Sequence, residues 1–238
     1  MTLVIDPMGA GVTDEGGDNR RQRNQRGEGA RLKQELVEAA MRILDRQPGA
    51  QLSLRMVAKE AGVAAPSVYR HFPDARAMMT EIVSVCWAQM GDRMADAATG
   101  SDDPMVRLKA QLSAYVQYAM ERPSRYQLLF ALSSGVEHDL EGPLRPAYRL
   151  VRDAIEAVGT SGVSLPTPNS ASATVLALSM VHGRIAIAHL SPLRDGNNAA
   201  GVKDFVLEAL AILFRPHDAE DGSARQDLPQ KSLRANGC

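Results

Sequence analysis

Four hydrogen-bond donors of different kinds are packed into the pentapeptide SVYRH, residues 67–71: the Ser67 hydroxyl, the Tyr69 phenol, the Arg70 guanidinium and the His71 imidazole. Such a set suits an acceptor-rich polyanion better than bond-making chemistry. Ser67, Tyr69 and His71 carry donors fitted to phosphate oxygens, and Arg70 can grip either a phosphate or a guanine edge with two parallel bonds. Elsewhere the five histidines are scattered, and no Ser/His/Asp, Cys/His or His-Glu-x-x-His arrangement occurs, so nothing acts as a positioned nucleophile or base. His182 and His189 stand seven apart, on one helical face, but without a carboxylate or cysteine at ligand spacing. No metal and no cofactor are therefore expected.

The elements needed to present that pentapeptide are legible around it. In Ser53–Phe72, SLRMVAKEAGVAAPSVYRHF, Ser53 can cap a short helix with Leu54, Val57, Ala58 and Ala61 on one face. Gly62 supplies a tight turn, where a positive φ costs glycine little. A second short helix, about Ala65–His71, tolerates Pro66 in its first turn. Val57, Ala58, Ala61, Val63 and Val68 lock the two helices together, leaving Ala65, Ser67, Tyr69, Arg70 and His71 outward. This is a helix-turn-helix: one helix lies across the DNA backbone and the next enters the major groove. Ser53, Arg55 and Arg76 join the outward set as candidate DNA contacts, and free amides at the helix starts add anion affinity.

The whole-chain charge hides this. With 27 basic and 28 acidic residues the 238-residue chain carries −1, which taken alone argues against a nucleic-acid partner. By segment the balance is −4 over residues 1–19, +6 over 20–80 and −3 beyond. A basic stretch of this kind is either a solvated face or an electrostatic footprint for nucleic acid. The run Arg20–Arg26 is open in the same way, as a solubilising segment or a phosphate and minor-groove contact.

Composition points to helices. Hydrophobic residues make up 45% but aromatics only 4%, with Ala, Leu, Val and Met supplying the apolar mass. Two cysteines, Cys86 and Cys238, cannot form a disulfide framework, which fits a reducing cytoplasm; Cys86 falls on an apolar helical stripe and is expected as a buried thiol. The first twenty residues are acidic and glycine-rich, unlike a secretory leader. Ala171–Leu190 carries His182, Arg184 and His189, so it is expected as a buried helix and not a membrane span.

Periodicity then predicts an all-α chain of about nine helices: a basic-ended arm at 1–28, a helix-turn-helix domain at 29–75, a larger helical domain at 76–215 and a tail at 216–238. The last helix, about Gly201–Arg215, has a stripe of Val202, Phe205, Val206, Ala209, Leu210 and Leu213, with Leu207, Ile212 and Phe214 on other faces. A helix apolar on more than one side is buried on more than one side, so this stripe is expected at a two-fold dimer interface with Ala171–Leu190.

Gly62-Val63 followed by Val68-Tyr69-Arg70-His71-Phe72-Pro73-Asp74 resembles the N-terminal domain of the tetracycline-repressor (TetR) family of bacterial regulators, over about Arg31–Val83. The chain departs from that pattern at Ala64, where a capping Ser is usual, and at Ala75, where Lys is frequent and Arg76 follows instead. The segments Tyr115–Pro123, Tyr126–Phe130 and Val181-His182-Gly183 resemble a C-terminal subclass named for a Trp-His-Gly triplet, with Val181 replacing the Trp. The resemblance implies a homodimeric repressor on a palindromic double-stranded operator, released by a small-molecule inducer bound in the helical domain. The fold it implies places Trp87, Met90, Met94, Tyr115, Tyr118, Phe130, Tyr148, Met180 and His182 around a central cavity. Adaptable methionines with a few aromatics suit an apolar ligand. The rival readings are a helical small-molecule-binding protein or enzyme, or an interaction module, with a vestigial helix-turn-helix.

Overall fold

The computed structural model describes residues 28–47, 51–131, 145–192 and 194–216. The run Arg20–Arg26 and most of the arm, the Pro48-Gly49 stop, and the tail with Cys238 lie outside them. Glu28, assigned above to the arm, is already the first residue of helix α1 (Glu28–Arg46).

Nine α-helices are present among the described residues, and most start where a polar side chain can satisfy free amides. The first three are α1, α2 (Leu54–Ala61) and α3 (Ala65–Tyr69). The helical domain holds α4 (Ala75–Ala97), α5 (Pro104–Glu121), α6 (Pro123–Ala131), α7 (Arg145–Thr160), α8 (Ser170–Leu190) and α9 (Ala199–Leu213). Asp74, Asp103, Asn169 and Asn198 accept from amides in the first turns of α4, α5, α8 and α9. Asn198 reaches the Gly201 amide, so α9 begins two residues earlier than the periodicity suggested. A two-residue antiparallel pair, β1 (Val163–Ser164) with β2 (Arg215–Pro216), ties the end of α7 to the end of α9; it is too short to leave a period-two signal.

Helix α5 is the hub. Leu108, Leu112, Val116 and Ala119 are fully buried, and α4, α7, α8 and α9 pack around it. Truncating such a leucine to alanine costs about 2–5 kcal/mol. The start of α9 is pinned by Arg184, which donates to the Gly196 carbonyl at 2.5 Å and to Asn197 Oδ1 at 2.9 Å. A Cβ on Gly201 would stand 2.6 Å from the Gly196 carbonyl oxygen, so only glycine permits this close approach.

The expected dimer stripe is corrected in part. Val202, Val206 and Leu210 are fully buried within the chain, where α9 packs on α5 and α8, and cannot meet a second copy. Phe205 is 45% exposed and Ile212 62%, while Ala209 and Leu213 are less buried than the inward three. On α8 the inward residues are Ala173, Ala177, Val181, Ile185 and Ala188, and Val175, Leu176, Ile187 and Leu190 face outward. Helix α8 is long and apolar enough to cross a membrane by length and composition. Its inward face packs on α5, α7 and α9.

Candidate nucleic-acid interface and the cavity behind it

The outward face of residues 53–76 is built by local hydrogen bonds. Ser53 Oγ accepts from the Met56 amide at 3.3 Å and opens α2. Gly62 takes φ of +69°, and the Val63 amide reaches back to the Ala58 carbonyl at 3.0 Å, which closes α2 and turns the chain into α3. Any other residue at Gly62 would sit in the left-handed region at a cost of about 1–2 kcal/mol. Ala64 caps α3 with backbone alone, since no side chain there accepts an amide. The His71 and Phe72 amides both bond the Val68 carbonyl, so α3 ends at Tyr69 and His71 stands in a turn beyond the predicted helix.

Tyr69 is 51% exposed, the largest outward apolar surface on these helices. Arg70 is exposed, and its Nη2 donates to Ser67 Oγ at 3.2 Å, folding the guanidinium back along its own turn. Ser53, Arg55 and Arg76 are exposed; Ala65, Ser67 and His71 are half-buried, Ala65 against the core. Of the expected outward set, Ser53, Arg55, Tyr69, Arg70 and Arg76 are exposed and Ala65, Ser67 and His71 are less so.

Ion pairs sort the basic residues of this segment. Arg31 pairs with Glu35, Lys33 with Glu81, and both Arg42 and Arg46 with Glu60. Among the described residues, Arg55, Lys59, Arg70 and Arg76 have no carboxylate partner. Lys59, in the last turn of α2, was not singled out from the sequence; only its lack of an acidic neighbour in space distinguishes it from Lys33.

A cavity of about 200 Å³ lies in the helical domain, lined by Trp87 and Met94 of α4, Tyr115 of α5, Phe130 of α6, Ala147 and Tyr148 of α7, and Leu178, Ser179 and His182 of α8. Met90, Tyr118 and Met180, expected there, do not line it. Met90 is fully buried in the core. Tyr118 turns instead toward Arg93, whose guanidinium stands 5.4 Å from the ring centre, and burial pushes its phenol up. Met180 is partly buried and packs against the core. Ala147, Leu178 and Ser179 were missed, because a small or aliphatic residue on a helical stripe carries no mark of a cavity behind it.

At one end of the cavity three polar side chains are joined. Tyr115 and Tyr126 hydroxyls are 3.2 Å apart, and Tyr126 Oη lies 2.6 Å from His182 Nδ1. Burial pushes the Tyr115 phenol up to about 12, against the pull of its Tyr126 bond, and raises Tyr126 further. Burial lowers His182 below its ordinary 6.5, and lowers His189 likewise. All four groups are therefore uncharged near neutral pH.

Tyr126 also has a neighbour that reaches the other domain. Arg125, almost buried, donates from Nε to Asp45 Oδ1 at 2.9 Å and from Nη2 to Asp45 Oδ2 at 2.5 Å, clasping α6 to the end of α1. Arg122 adds a weaker contact to Asp45 at 3.4 Å. Helix α4 makes the second link: it begins just after the His71 turn and carries Trp87 and Met94 into the cavity. Among the described residues no cluster of His, Cys, Asp or Glu is grouped to hold a metal ion.

Comparison with known proteins agrees with this arrangement. The model for bacterial regulatory proteins of the tetR family matches residues 36–82, and that for the tetracyclin repressor-like C-terminal domain matches 108–210. The uncharacterized HTH-type transcriptional regulator YobS of Bacillus subtilis (strain 168) is 32% identical over 94 residues, 39% of this chain and 48% of YobS. The chain thus spans about half the length of that curated relative. A protein of unknown function from Rhodococcus sp. RHA1 superposes with a TM-score of 0.65 at 20% identity, over 79% of this chain and 96% of that one. The TetR family transcriptional regulator PfmR from Thermus thermophilus gives 0.57 at 15% identity, over 77% and 98%. At such identities these two likenesses speak for the fold.

Proposed function

The chain belongs to the TetR family of bacterial regulatory proteins, and from that premise we propose that it is a cytoplasmic, ligand-responsive repressor of transcription without enzymatic activity. Two copies bind a palindromic operator, each placing α3 in the major groove. Tyr69, Ser67, His71, Ser53, Arg55 and Arg76 contact the backbone, and Arg70 reads a guanine or holds a phosphate. Lys59, without a carboxylate partner among the described residues, adds a further phosphate contact. The dimer face consists of the outward residues of α8 and α9, with Phe205, Ile212, Val175 and Ile187 at its centre.

The observation that carries this reading is the continuity of α4, which starts beside the DNA-facing turn and ends in the wall of the cavity. A small, largely apolar ligand that fits the cavity better in one tilt of α4 shifts the two α3 helices out of register with the operator. A coupling of about 1–3 kcal/mol is the usual scale for such linkage. The test is an electrophoretic mobility shift with the DNA flanking the protein's own gene. The expected result is a dimer-stoichiometry complex that weakens steeply with salt and is weakened by Arg70→Ala. Absence of any shift at low salt overturns it.

A further inference from the structure

Resting on the reading of the cavity as the ligand site, we infer that its ligand is a small neutral aromatic molecule bearing one hydrogen-bonding oxygen, seated with that oxygen at His182. Four properties of the cavity lead there. The first is size. An apolar cavity of about 150 Å³ holds benzene, so about 200 Å³ takes one ring and a short substituent. The second is shape. Five rings line the wall, and Phe130 and His182 are tilted by 36° with centroids 4.0 Å apart, while Trp87 meets Phe130 edge-on at 5.9 Å. Offset and edge contacts of this kind are what another flat ring completes.

The third is charge. Among the described residues no Asp, Glu, Lys or Arg lines the cavity. An anion would find no counter-charge and lose its hydration without return, and a cation would recover only the part that the ring faces supply. The fourth is the polar end. His182 Nδ1 is taken by Tyr126, and Nε2 has no hydrogen-bond partner among the described residues. If Tyr126 donates to Nδ1, then Nε2 carries the proton and donates to a carbonyl or ether. If the chain runs the other way, Nδ1–H donates to Tyr126, Tyr126 donates to Tyr115, and Nε2 accepts from a hydroxyl. Burial keeps the imidazole neutral in both cases. One ligand oxygen is served either way.

The chain's only tryptophan, Trp87, is in the cavity wall, so its fluorescence reports occupancy directly. The full-length protein is titrated with acetophenone, 3-methylphenol, ethylbenzene, phenyltrimethylammonium and benzoate. Acetophenone and 3-methylphenol are expected to bind about tenfold more tightly than ethylbenzene, which has the same ring without the oxygen. In His182→Leu, which keeps the volume, that ratio is expected to narrow to about threefold or less. The readout is a ratio of affinities, which a general loosening of the fold does not mimic.

Equal binding of ethylbenzene in the unsubstituted protein overturns the polar assignment whether or not the variant folds. Preference for phenyltrimethylammonium or benzoate overturns the neutral one. Silence of Trp87 toward every probe overturns the class itself, while a persisting mobility shift leaves the regulator reading intact. Conversely, tight binding that never releases operator DNA supports the ligand class and removes ligand responsiveness.

Discussion

The two candidate sites of this molecule are built by opposite means. On the DNA-facing side, Ser67 and Arg70 or Ser53 and Met56 are bonded three residues apart, and the groups that would touch a partner point outward. In the helical domain, Tyr126 meets His182 across 56 positions of sequence, and most of the groups that would touch a ligand are buried or half-buried. A surface site held by local bonds can lose a side chain at little cost to folding. An enclosed site shares its residues with the core, so function and stability are lost together there.

The contact between the two regions offers the largest test. Asp45→Ala leaves the almost buried Arg125 without its carboxylate, and a loss of about 2–4 kcal/mol is expected, lowering Tm by about 5–10 °C in calorimetry. Arg125→Met leaves Asp45 more accessible and still within 3.4 Å of Arg122, so the loss should be about 1 kcal/mol or less. Equal losses from the two would show that the clasp holds the domains by charge alone, and that buried and exposed partners are not distinguished.

Arg70→Ala should separate function from stability. Operator affinity is expected to fall about 5- to 150-fold, the range for a guanine or phosphate contact of about 1–3 kcal/mol. Stability should stay within about 0.5 kcal/mol, because among the described residues the lost side chain bonds only Ser67, on an exposed turn. If denaturation midpoints fall as far as affinity does, the contrast between the two regions fails. Ser53→Ala acts in the same region on stability instead, and is expected to cost about 1 kcal/mol through the lost cap of α2. Tyr126→Phe is the counterpart on the enclosed side. It removes the hydroxyl between Tyr115 and His182, and should lower stability by about 1 kcal/mol and ligand selectivity together.

This difference also decides how much could be read without coordinates. Gly62, Ser53, Pro66 and the inward pair Val63 and Val68 act on near neighbours in sequence, so the turn and both its helices were legible, as were the starts of α4 and α5 at Pro73-Asp74 and Pro104 and of α8 at Asn169. The cavity was legible only in part. Trp87, Met94, Tyr115, Phe130, Tyr148 and His182 were picked by residue type on helices that the resemblance places around a cavity, and they line it; Met90 and Tyr118, picked the same way, sit in the core instead. Periodicity measures which face is apolar, and does not say whether that face meets a neighbour or a void. The same limit misplaced Val202, Val206 and Leu210: a stripe buried by α5 looks in sequence like one buried by a second copy.

Acid should act on the two regions unequally. Burial holds the pKa of His182 and of His189 below the ordinary 6.5, so as pH falls the unfolded chain takes up these protons first. Stability from these groups is therefore complete above about pH 6.5 and declines as pH drops through the interval below it. The depressed carboxylates, Glu60 and Glu121, act in the same direction but begin near their ordinary 4.5, which separates the two effects on the pH axis. Hydrogen exchange between about pH 7.5 and 5.5, corrected for intrinsic rates, should show residues 170–190 losing protection while residues 54–69 keep theirs. His182→Leu should flatten part of that loss, and a part belongs to His189. At the alkaline end Tyr115, held near 12 against an ordinary 10, should produce a second decline above about pH 10, again in the helical domain. Equal loss of protection in both segments at the acid end would mean that the enclosed polar chain is not what makes the helical domain acid-sensitive, and that the two regions unfold as one.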